Sequence, residues 1–385
     1  MKKLKFLTAG ESHGKGLIGI LDGLPAGLEI AEKYINQQLD RRQHGHGRGK
    51  RMEIEHDQVE IYSGVRFGKT LGSPIALTVK NRDWENWSRK MAVDGSGINV
   101  KKVTLPRPGH ADLAGAQKFD FDDIRNVLER SSARETAMRV ALASLVRKLL
   151  EEVNIDVGSR VIQIRQAKDE SQLVEPLNLK KLTKQIDLSP VRCLSKNAEQ
   201  AMLTAIDEAQ AEGDSVGGVF EVLATGLPYG LGSYTHWDRK LSTRLSAAIM
   251  SINAIKGVEI GRGFALAESM GSQTHDEIMW NEANYHRATN NAGGLEGGMT
   301  NAQPLVLRAV MKPIPTLMKP LRSVDMLTKI DKSAHKERTD VCAVPAASIV
   351  AESMICLVLA DALLEKFGGD TVDQLKNHMK MSARY

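Results

Sequence analysis

The sequence predicts one α+β domain with long functional loops. Three observations carry that reading. The chain has 385 residues, 42% of them hydrophobic, enough to bury a core as one large domain or two ordinary ones. No linker, heptad run, short-period repeat or low-complexity tail divides it. Strand-length and helix-length apolar runs both occur, and glycine-rich stretches at 41–51 and 289–303 interrupt them.

The elements follow in order. Leu4 to Ala9 reads as a short strand entering a polar turn at Gly10 to Gly14. Leu17 to Leu21 is a second apolar run, ended by Gly23 and Pro25. Ile30, Tyr34, Ile35 and Leu39 fall at helical spacing, which predicts a helix over 29–42. Val59 to Tyr62 and Ile75 to Val79 read as strands, and Asp83 to Gly97 as a polar, Trp-containing loop. Phe121 to Glu152 is the strongest helical region, with Ser131 and Ser132 placed to interrupt it and Ser132–Glu135 at capping-box spacing. The stretch 157–221 mixes a strand at 161–164, a polar link and a helix at 199–212. Helices at 241–254 and 346–366 complete the pattern.

Composition excludes several classes. A net charge of +5 on 42.2 kDa, with 4% aromatics, is too mild for a nucleic-acid protein and suits an acidic small molecule better. Cys193, Cys342 and Cys356 are odd in number and widely spaced, so neither a disulfide framework nor a zinc site is expected, and a reduced, cytoplasmic setting fits. The start MKKLKFLTAGESHG does not read as a signal peptide. No stretch is expected to reach the roughly 18 apolar residues of a membrane span.

Two phosphate-binding signatures fail, one on its setting and the other on spacing. Gly14, Gly16 and Gly19 match GxGxxG, but the residues after them continue as a strand rather than opening a helix. GESHGK (10–15) and GVRFGKT (64–70) each put three residues between the glycines where a phosphate-cradling loop needs four.

Arg and His recur in turns at five places. His13 sits between Gly10 and Gly14 and suits a general acid near neutral pH, or a plain hydrogen-bonding surface role. RRQHGHGRGKR brings Arg41, Arg42, Arg48 and Arg51 together among glycines, as an anion cradle, a solvated basic loop or an RNA-contacting patch. RPGHAD supplies Arg107, His110 and Asp112, and ERSSARET supplies Arg130, Ser131, Ser132 and Arg134 near a helix start that attracts anions. HKERTDVCAVPAA supplies Arg338 and Asp340. Each alone could be ordinary surface; together they fit a protein that grips one compact polyanion from several loops. The glycine run 293–298 and Lys312–Thr316 suit backbone contact with a planar or phosphorylated cofactor, or simple turns.

The ordered strings TAGESHG, RRQxGxGRGKRM, RPGHAD, RSSARET, EGDSVGG, GLEGGMTN, KPIPT and RTDVCAVPAA resemble the chorismate synthase family across almost the whole chain. Ala302, where the family pattern has glycine after Asn301, and the region of Trp237 depart from it. The resemblance implies a chorismate synthase-like β-α-β sandwich, a homotetramer and a shikimate-pathway lyase of aromatic amino acid biosynthesis. Its reaction would be the 1,4-anti-elimination of phosphate from 5-enolpyruvylshikimate 3-phosphate with reduced FMN and no net redox change. It implies His13 and His110 as acid–base residues and Asp340 as proton acceptor near the flavin. Ser12, Arg42, Arg48, Arg51, Arg107, Arg134 and Arg338 would hold the substrate. Arg130, Ser131, Ser132, Asn253, Ala254, Gly297, Lys312, Pro313, Ile314, Pro315, Thr316 and Arg338 would contact FMN. No metal, nucleic acid or membrane is implied, and the reduced flavin is expected from an external source. The competing readings are an NADPH-dependent flavin reductase and a nucleic-acid module built on residues 41–51.

Overall fold

The structure, a computed structural model, describes residues 1–49, 56–173, 176–336 and 340–382. Strands β1 (Lys5–Ala9), β2 (Gly16–Asp22), β3 (Val59–Ile61) and β4 (Ile75–Lys80) form an antiparallel sheet in the order β1-β2-β4-β3. Period-2 alternation sets its register. In β2, Leu17, Gly19 and Leu21 face the core while Ile18 and Ile20 face outward. A second antiparallel sheet contains β5 (Asp156–Ile164), β6 (Ala167–Lys168), β7 (Gly218–Thr225), β8 (Ile255–Ile260) and β9 (Leu305–Met311), in the order β8-β9-β7-β5-β6.

Helices fill the space between the sheets. The chain supplies α1 (Glu32–Gln43), α2 (Asp112–Phe119), α3 (Arg125–Ser131), α4 (Thr136–Glu152), α5 (Lys196–Glu212), α6 (Leu241–Met250) and α7 (Val344–Phe367). Helix α4 packs on β2 and β4, α7 packs on β5 and β7, and the two helices pack on each other. The result is the β-α-β sandwich, closed around a large apolar core, with a small separate cluster of Ala116, Ile124 and Leu128 beside it. Gly19 lets β2 approach α4 closely: a Cβ there would lie 2.6 Å from Met138 and 2.8 Å from Leu142 of α4.

Helix α7 corrects one expectation. It is long and apolar enough to cross a membrane, yet its apolar stretch is wholly buried inside the protein. Its acidic residues have partners that suit a core helix. Glu352 is surrounded by Arg41, Arg147, Arg192 and Ser159. Asp361 accepts the backbone N–H groups of Lys2, Lys3 and Leu4 and pairs with Arg244.

Most expected elements occur, with shifted ends. The helical region 121–152 does break at Ser132, where the Ser132 hydroxyl accepts from the Arg134 backbone and caps a short 3-10 turn, Ala133–Glu135. Glu135 itself pairs with Arg139. Strands β7, β8 and β9, and helices α2 and Leu179–Ile186, were not expected from the pattern. Strand β7 is buried on both faces and so lacks the alternation that marks a half-exposed strand.

Candidate functional site

A cavity of about 760 Å³ opens where the ends of β1, α1, α3 and β9 meet the 107–111 turn, His335, Asp340 and Ala343. Its size is that of an ordinary small-molecule site. His13, on the turn after β1, lines it. The His13 ring Nδ1 lies 3.0 Å from both carboxylate oxygens of Glu129, and the His13 backbone N–H donates to the same carboxylate at 2.8 Å. Glu129 also pairs with Arg125 at 3.0 Å. Burial works to raise the Glu129 pKa, but the hydrogen bond and charge of His13, aided by Arg125, outweigh it and hold the group below its ordinary value. Trp87 stacks on the other side of His13, with ring centroids 3.8 Å apart.

His110 has the same arrangement built from different segments. Its Nδ1 is 2.6 Å from Asp112 Oδ1. Asp112 is fully buried and also accepts from Arg107 Nε at 2.8 Å and from the Arg107 backbone at 3.0 Å. Burial works to raise the Asp112 pKa; hydrogen bonds from His110 and Arg107 prevail and hold it well below the carboxylate range. Arg107 Nη2 lies 3.2 Å from His110 Nδ1 and 3.4 Å from Nε2. The shorter bond to Asp112 assigns the Nδ1 proton, because one ring nitrogen cannot donate to Asp112 and accept from Arg107 at once.

The arginines form a cationic wall. Arg42 and Arg41 are adjacent on α1 and go opposite ways: Arg41 enters the Glu352 cluster, while Arg42 lines the cavity. Arg42 donates from Nε to Thr136 and from Nη2 to the Ala133 carbonyl. Burial pushes its guanidinium down to about 10 against the pull of Asp57, so it remains charged at neutral pH. Arg134 pairs with buried Asp57 and donates from Nε and Nη2 to Asn81 at 3.0 and 2.9 Å. Arg48 pairs with Asp340 at 3.0 Å, and Asp340 also accepts the Gly49 N–H at 2.7 Å. Ser12, Ser131, Ser132, Asn253, Ala254, Lys312, Ile314, Pro315 and Thr316 line the same cavity. Ala254 holds φ +65°, a strained value for a residue with a Cβ.

Three expected residues are placed elsewhere. Arg130 binds Thr8 and the Gly10 carbonyl. Gly297 sits in a hairpin near Tyr234 and Met299. Pro313 belongs to the lining segment without lining it. Arg51 and Arg338 lie outside the described residues. Glu129, Trp87, Arg125, Asp57, Asn81 and His335 were not singled out as site residues; of these, Glu129 directly precedes the RSSARET string, and Trp87 lies in the polar loop already marked. Asp112 stood in RPGHAD without a role of its own.

Arg42 Nη1, Ser131 Oγ and Asn253 Oδ1 are buried and have no hydrogen-bond partner among the described residues. All three residues line the cavity. Orphaned donors and acceptors in one cavity mark a surface made for a polar ligand. The arrangement can bind a compact polyanion and present two imidazoles, each anchored at Nδ1 by a carboxylate, for proton transfer.

A family profile described as chorismate synthase matches residues 4–364. The chain is 54% identical to the chorismate synthase of Aquifex aeolicus (strain VF5), with 99% of each chain covered. It is 52% identical to that of Bacillus subtilis (strain 168), with 98% of each covered. A solved structure described as the crystal structure of chorismate synthase superposes with TM-score 0.81 at 44% identity, over 100% of this chain and 98% of the other.

Proposed function

The chain belongs to the chorismate synthase family, and on that premise we propose that it eliminates phosphate from 5-enolpyruvylshikimate 3-phosphate to give chorismate, with reduced FMN bound in the cavity. The observation that carries this reading is the convergence of Arg42, Arg48, Arg107 and Arg134 with His13 and His110 around one cavity. The substrate bears a charge of about −4, from a phosphate monoester and two carboxylates. Holding such a charge away from water requires several fixed cations, and arginine keeps its charge there.

The lining also fits a flavin. The orphaned Ser131 Oγ and Asn253 Oδ1, the backbone at Ala254 and the 312–316 segment supply polar and backbone contacts for a phosphorylated, planar group. Bound reduced FMN would lend electron density to the substrate ring and take it back, with no net redox change. His110, anchored by Asp112, protonates the departing phosphate. His13, anchored by Glu129, holds the proton that keeps the cofactor in its working protonation state. Asp340 takes up the proton lost from the substrate. Arg51 and Arg338 add to the anion site. The enzyme works as a cytoplasmic homotetramer and draws reduced flavin from outside.

Anaerobic incubation with enolpyruvylshikimate phosphate tests this directly. Chorismate and free phosphate should appear with reduced FMN and not with oxidised FMN. Product with oxidised flavin alone, or none with either, refutes the reading, and steady NADPH oxidation with FMN would identify a flavin reductase instead. His13→Ala and His110→Ala should each lower turnover ~10²–10⁴-fold.

A further inference from the structure

Two of the contacts of His13 differ in kind. Glu129 holds its Nδ1 at the edge of the ring. Trp87 bears on the face of the ring. Its indole lies against the imidazole at 3.8 Å with an interplanar angle of 22°, an arrangement that fixes the plane of the ring. Trp87 is itself fastened. Its Nε1 donates to Asp83 at 2.9 Å, and the cations of Lys90 and Arg125 stand 4.6 and 5.1 Å from its ring. Arg125 in turn pairs with Glu129 at 3.0 Å. His13, Glu129, Arg125 and Trp87 thus close a ring of contacts drawn from three separate segments. Residues 88–90 and 92–99, which follow Trp87, are exposed, so this indole is where the loop is fastened to the site.

We propose that Trp87 is a positioning residue for His13: it fixes the imidazole plane and covers its outer face, so that docking of the 83–97 loop is coupled to a productive His13. The role rests on the elimination reaction proposed above. Trp87 touches the histidine and is assigned no bond-making step of its own. An aromatic ring at this position is what the role requires, and the indole nitrogen matters only for its tie to Asp83.

Two measurements on the full-length chain test this. In the anaerobic elimination assay, Trp87→Ala should lower kcat ~10–100-fold, the cost of a misplaced catalytic group, with KM for the substrate within about threefold of wild type. Trp87→Phe should recover most of the loss. The second measurement is tryptophan emission without added flavin. A stacked imidazole quenches the indole, so His13→Ala should raise emission in the wild-type background and leave it unchanged in the Trp87→Phe background. A wild-type kcat in Trp87→Ala, equal losses in Trp87→Ala and Trp87→Phe with lowered melting temperatures, or an emission rise on His13→Ala that persists without Trp87 would each overturn the proposal. If the wild-type protein makes no chorismate, the functional reading fails, and the emission cycle alone then decides whether Trp87 holds His13.

Discussion

Asp112 and Glu129 do the same work at two histidines. Each is a buried carboxylate that ties down Nδ1, so that proton exchange is left to Nε2. Each also keeps its charge against burial chiefly through the histidine it binds, aided by a guanidinium, Arg107 in one case and Arg125 in the other. A different residue-scale feature is Ala302. It holds φ +64° and its side chain is exposed, so its Cβ strains the backbone and packs against little in return. Ala302→Gly should therefore stabilise the protein by about 1 kcal/mol in urea denaturation. An unchanged or lower midpoint would show that the turn accommodates alanine without strain.

Strand β2 and helix α4 meet through a missing side chain. Gly19 faces inward between Leu17 and Leu21, and any Cβ would run into Met138 and Leu142. Gly19→Val should cost about 1–3 kcal/mol by overpacking, and Gly19→Ala less, since the end of Met138 can shift. Equilibrium unfolding measures the difference; equal stabilities would mean that the helix is free to ride higher on the sheet. The same close approach explains why a glycine pattern that superficially matches a dinucleotide fingerprint lies within a strand. Here the third glycine serves helix-on-sheet packing, with no helix opening at the turn.

Across the molecule, the helical layer is keyed together by charge as well as by apolar burial. Glu352, in the N-terminal half of α7, is fully buried among Arg41, Arg147 and Arg192. Burial works to raise its pKa, and the three guanidinium groups prevail, holding it down to about 2 from an ordinary 4.5. A carboxyl depressed on folding adds stability that is fully present above its unfolded pKa and lost as pH falls through the folded one. The protein should therefore lose stability between about pH 4.5 and about pH 2 on this account. Glu352→Gln should cost about 3–5 kcal/mol at neutral pH and flatten the pH dependence in that window. Denaturant midpoints at a series of pH values decide it. A variant with the slope of the wild type would assign acid sensitivity to other carboxyls.

Local patterns in the sequence located β1, β2, α1, α4, α5 and α7 and marked the turns where Arg and His cluster, because strand and helix periodicities and glycine breaks are written in neighbouring residues. The ordered motifs carried the family resemblance. What tertiary structure alone decided is which charges meet. Glu129 reaches His13 across 116 positions, and Arg134 reaches Asn81 across 53. Arg41 and Arg42 look equivalent in the chain, but one is drawn into the core and the other into the cavity, because adjacent residues on a helix project about 100° apart. Strands buried on both faces, such as β7, left no alternation to read, since burial on both sides selects apolar residues at every position.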